Sequence, residues 1–183
     1  MKSIFKFSVL FLAMVMMNSL TSCGGDNNEP DDSGSHVAGA SYYIMLNPVN
    51  TSGDQTDFVN TTVIITDKTT NKELLKKDVV LDKSGLVPVE IKSESLIKNF
   101  PFAVEISQTL KSGIDITQKS TYKLGLQIQI AVSSCDADNK VIKTLVKNER
   151  ISNEISSENL SKNFPHTVSY VFSIDKKGDI TTE

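Results

Sequence analysis

The chain has 183 residues, 39% of them hydrophobic and 22% charged, with 2 Cys, 2 His and no Trp. That length supports one domain or two very small ones with a real core. A formal charge of -3 gives no electrostatic footprint for nucleic acid, and two cysteines rule out a disulfide-dense scaffold. With so few histidines and thiols, zinc sites and catalytic triads have little to draw on, so the composition leans away from an enzyme.

Residues 1–22 read as an export leader. Lys2 and Lys6 form a positive start, and Phe7 to Met17 is an apolar run broken only by Ser8. As a helix this run is about 16 Å long, short of a hydrocarbon core of about 30 Å, so it suits a cleaved signal and not a membrane span. It ends in Leu20-Thr21-Ser22-Cys23. The order of basic start, apolar run and small residues before a cysteine resembles the bacterial lipobox. The resemblance implies cleavage before Cys23, with palmitate-class acyl chains carried on that cysteine. Several chains, at about 0.8 kcal/mol per buried methylene, would anchor the protein stably. The membrane, reached through this anchor, is thus the first expected partner.

Residues 23–36 follow as a tether. The segment Gly24 to Ser35 holds four acids and no apolar side chain, so it has nothing to bury. Loss of the two leader lysines moves the formal charge to -5. Gly24 directly after the cysteine, and the acidic stretch beyond it, are similar to the tethers of Bacteroidetes outer-membrane and surface lipoproteins. This implies an outer-membrane, cell-surface location.

From residue 37 to 183 the pattern is all strand. Leu124, Leu126, Ile128, Ile130 and Val132 alternate with small or polar residues, which places them on one face of a strand. Val168, Tyr170, Phe172 and Ile174 repeat this, as do Phe102, Val104 and Ile106. Val87, Val89 and Ile91 do so around Pro88, which removes a ladder donor and argues for an edge or a bulge. Further expected strands are Tyr42–Leu46, Val59–Thr66, Leu74–Leu81, Ile114–Tyr122, Val141–Val146 and Ile151–Ile155. Turn signals at Lys83-Ser84-Gly85, Lys111-Ser112-Gly113, Asp136–Asn139 and Lys176–Asp179 separate them. Nine or ten short strands with no long helix predict an antiparallel β-sandwich, immunoglobulin-like or related.

An internal repeat divides this region. Ser93–Val104 matches Ser157–Val168 at a constant offset of 64, with eight of twelve positions identical. Two similar halves of about 65 residues, roughly 40–110 and 111–175, are expected, either sharing one sandwich or abutting as two small ones. The shared Ser-Glu-x-Leu-x-Lys-Asn-Phe-Pro reads as a serine-capped helical turn that ends ahead of proline. Leu96, Phe100, Leu160 and Phe164 would plug the sandwich ends. A duplicated ligand loop presenting Lys98 and Lys162 is the alternative.

Candidate chemistry is sparse. His36 and His166 have no second ligand at metal spacing, so neither a metal nor any other cofactor is expected. Cys135 reads as a small, partly buried free thiol, with no adjoining cation to activate it. Asp136-Ala137-Asp138-Asn139 alternates oxygens as a calcium loop would, but reads better as a turn in which Asp and Asn satisfy their own backbone. No catalytic residue is assigned. Tyr42 and Tyr43 are the possible ligand contacts: adjacent on one strand, they must face opposite sides of the sheet. Together these features predict a lipid-anchored, non-catalytic binding or adhesion-type module whose partner is a glycan or protein at the cell surface. The alternatives are a glycan-binding accessory of an outer-membrane uptake system and a structural subunit of a fimbria-like assembly.

Overall fold

The computed structural model describes residues 36–49 and 52–183. The expected leader, most of the tether and Cys23 lie outside the described residues. In chain order the elements are β1 (Gly39–Pro48), α1 (Asp54–Phe58), β2 (Val59–Asp67), β3 (Lys72–Val79), β4 (Val89–Lys92), β5 (Phe102–Leu110), β6 (Thr121–Cys135), β7 (Val141–Ser156), α2 (Ser157–Leu160) with a 3-10 turn at Ser161–Asn163, β8 (His166–Ile174) and β9 (Ile180–Thr182).

They form an antiparallel β-sandwich. One sheet runs β4-β1-β6-β7 and the other β3-β2-β5-β8-β9. The alternation read in the sequence is the cause: Ile44 and Leu46, Val63 and Ile65, Val104 and Ile106, and the even positions Leu126 to Val132 all point inward and are buried together. Pro88 directly precedes the edge strand β4, where its missing N–H costs no ladder bond.

Strands from both stretches of the repeat share both sheets. β1 pairs with β6 over ten residues, and β5 pairs with β8 over seven. β5 and β8 correspond residue for residue at the offset of 64, and their ladder is centred on Glu105 opposite Ser169, which are themselves 64 apart. A local twofold therefore relates the two strands. Each copy of the repeated segment leaves an outer strand of the four-stranded sheet, crosses, and enters a central strand of the other through a cis Phe-Pro bond, at Phe100-Pro101 and Phe164-Pro165. The Asn-Lys turns at Asn71 and Asn139 both place the asparagine in the left-handed region, φ 56 and φ 62, which asparagine tolerates well.

Several local expectations are corrected. Ile114–Tyr122 is mostly loop: Asp115 folds back to accept bonds from the Thr117 backbone and hydroxyl, and Tyr122 donates to the Ile116 carbonyl. Val141–Val146 and Ile151–Ile155 are one continuous strand, β7, because its polar middle lies on an edge where Glu149 accepts from Tyr170. Tyr170 is accordingly half-buried. The helical turn α1 has no periodic signal and is pinned instead by Asp54, which pairs with Lys119 and accepts from the Lys123 backbone.

The repeated segment is helical only in its second copy, and there the flanking serine makes no side-chain cap. In the first copy, Ile97 exchanges both backbone bonds with Ala40 at 2.8 Å, which takes the groups a helix would need. Gly39 permits this approach, since a Cβ there would lie 2.8 Å from Leu96 and from the Ile97 carbonyl. Ile97, not Leu96, is then the buried side chain. Leu160 is fully buried, in a second cluster with Phe58, Val59, Tyr122 and Leu124 that closes one end of the sandwich.

Candidate functional site

β1 sends Tyr42 and Tyr43 to opposite sides of its sheet, so the two rings do not share a surface. Tyr42 is half-buried against the main core, where the edges of β3 and β4 fail to close over each other. A groove of about 510 Å³ remains there, with Tyr42, Leu75, Ile91 and Ile97 toward its floor. The first repeat copy forms one wall and is stitched to Tyr42 through its backbone: Ser93 N–H donates to the Tyr42 carbonyl, and Ser93 Oγ accepts from the Tyr42 N–H. Three lysines (77, 92, 98) and three acids (Asp67, Glu90, Glu94) line the groove, so its charge is balanced. Burial, and then the Glu94 charge, raise the Tyr42 phenol above its ordinary value.

Asp67 ends the groove. Its carboxylate accepts from the Thr69 hydroxyl and N–H, the Thr70 N–H and, at 2.7 Å, the Asn99 amide of the repeat. These donors, Thr69 foremost, hold its carboxyl well below the usual range. Tyr43, on the outer face, lies under Lys92, whose Nζ is 5.3 Å from the ring centroid, and donates to Glu90. Burial and this bond raise the Tyr43 phenol, while Glu90 is lowered by the same bond.

A second crevice, of about 130 Å³, opens between the sheets at the other end of the strands. Its depth is made by Gln55 of α1, Gln108 of β5 and residues 124–126 of β6; Asn153, Asn163 and His166 stand at its mouth. Gln55 Oε1 accepts from the Gly125 N–H at 3.1 Å, which fixes the amide so that its NH2 is the remaining group. That NH2, and the NH2 of Gln108, have no partner among the described residues, although Gln55 is 2% and Gln108 5% exposed.

His166 thus lies at a crevice with two buried amides, while His36 is exposed on the chain's approach to β1. Among the described residues no three His, Cys, Asp or Glu gather to hold a metal. Cys135 is buried more fully than expected, beside Ser41 Oγ at 3.7 Å. Asp136 Oδ1 accepts from the Asp138 and Lys140 N–H groups at 2.9 Å, which commits that oxygen to the turn. Lys98 borders the groove, and Lys162 is exposed and reaches Asn159.

Gln55 and Gln108 were not legible as site residues, since a glutamine in a turn or on a strand carries no spacing signature. The one available signal lay in the repeat, where His166 replaces the phenylalanine found at 102. Compared with known proteins, the chain matches no family model, no curated sequence and no solved structure.

Proposed function

We propose that this is an acyl-anchored cell-envelope protein whose β-sandwich acts as a non-catalytic binding module of adhesion type at the outer-membrane surface. The observation that carries the binding role is the Tyr42 groove, an apolar floor lined by lysines and acids in equal number. Two of its three acids are already engaged, Asp67 by four donors and Glu90 by Tyr43 and Lys92. That supports recognition over acid–base chemistry. The anchor rests on the Leu-Thr-Ser-Cys motif, and sandwiches serving as binding modules are an analogy at the level of fold.

A glycan ligand is favoured over a protein by the half-buried Tyr42 ring, which has Ser95, Asn99 and Glu94 around it to bond hydroxyls. One experiment tests both parts on intact cells carrying the wild-type chain, Cys23→Ala, Tyr42→Ala or the exposed rim variant Lys98→Ala. Wild-type cells should be labelled by glycans selected on an array, and Tyr42→Ala and Lys98→Ala cells should lose most of that labelling. Cys23→Ala should release the protein from the membrane fraction. Retention of that variant in the membrane removes the anchor, and unchanged labelling of both groove variants removes the site.

A further inference from the structure

The crevice at Gln55 and Gln108 goes beyond this reading, because it lies at the opposite end of the strands from the Tyr42 groove. The local twofold shows what is unusual about it. Phe102 faces Phe172 at one end of the β5–β8 ladder, both fully buried and stacked at 5.5 Å between ring centroids. The symmetry-related pair at the other end is Gln108 facing His166. Where one end of the duplicated pair is sealed by two aromatic rings, the other holds an amide, an imidazole and an open space.

We propose that this crevice is a binding site for a small neutral acyl-amide group, an acetamido group being the size that fits. Two buried NH2 donors without partners among the described residues call for a ligand acceptor, since an unmet buried donor is costly. No lysine or arginine lines the crevice, so a carboxylate would be buried without a counter-charge. A carbonyl oxygen meets both requirements. Leu126, Ile151 and Ile155 form the walls and suit the methyl group beside that carbonyl. At about 130 Å³ the crevice has room for the four non-hydrogen atoms of an acetamido group. Asn153, Asn163 and His166 at the mouth are placed to bond whatever carries the acetamido group, which is an N-acetylated amino sugar or an N-acetylated amino acid derivative.

The test is a titration of the ¹⁵N-labelled full-length chain with N-acetylglucosamine, N-acetylglycinamide, glucose and acetate, following the side-chain NH2 signals of glutamine. Probes run to about 100 mM, because so small a contact supports only millimolar-range affinity. At least one acetamido probe should shift two glutamine NH2 pairs saturably, with glucose and acetate inert; which of the two binds more tightly identifies the source. Gln108→Met, which keeps the volume and removes the donor, should weaken binding about tenfold. His166→Phe, which installs the residue of the first repeat copy at the solvent-exposed mouth, should abolish binding without touching the core. Absence of saturation with both acetamido probes would show a crevice filled by water only and overturn the proposal. So would equal shifts from acetate, or binding that His166→Phe leaves intact.

Discussion

Asp67 shows how a single side chain can hold a groove open. Its four donors come from the β2–β3 turn and from Asn99, so the carboxylate ties a hairpin to the repeated segment across the gap between sheet edges. Because the fold lowers its pKa, the unfolded chain takes up the proton first as pH falls. The stabilisation is therefore fully present above the ordinary aspartate range near pH 4 and is lost as pH drops below it. Asp67→Asn should lower the melting temperature at pH 7 and flatten its decline between about pH 4 and 2, as read by circular dichroism. An unchanged acid limb would show that the carboxylate does not work through its charge. None of this was visible in the sequence, where Asp67 is one acid among 22 in a turn-rich stretch.

At the scale of elements, alternation was legible wherever one face of a strand is buried and the other wet. Leu124 to Val132 is the clearest case, and β6 contains all of it. The helical turn expected in both repeat copies failed in the first because Ile97 found a partner in Ala40, a contact 57 residues away that no local signal encodes. Two similar segments, which differ at the decisive position (Ile97 against Ser161), thus received different structures. That difference has an energetic consequence. Leu160→Ala empties a fully buried position and should cost about 2–5 kcal/mol, whereas Leu96→Ala at the matching, half-buried site should cost much less. Urea melts of the two variants check the asymmetry, and equal losses would contradict the assigned packing. The strand expected at Ile114–Tyr122 failed for a related reason: its apolar residues are used to cap an end cluster and not to line a sheet.

For the molecule as a whole, the shared ladders matter more than the repeat. β1 with β6 and β5 with β8 join the stretches 39–110 and 121–182 in both layers, so neither has a complete sheet of its own. Unfolding should be a single transition, coincident by far-ultraviolet dichroism and tyrosine fluorescence. A fragment spanning 111–183 should show no cooperative melt, and an independent transition from that fragment would overturn the shared-core view. The repeat announced the duplication, but it could not disclose the interleaving, which follows from pairing between residues 58 to 70 apart in the β5–β8 ladder and 78 to 96 apart in the β1–β6 ladder.

The position of β1 carries a mechanical consequence. The residues ahead of Gly39 feed directly into a strand zipped on both sides, by ten residue pairs to β6 and four to β4, with Ala38 already bonded to Cys135. β9, at the other end of the described chain, is held by three pairs to a single neighbour. Tension arriving through the N-terminal side is therefore distributed over two ladders in the middle of a sheet, while the same pull on the C-terminal side would peel an edge. Pulled from its two described ends, the domain would yield last at β1.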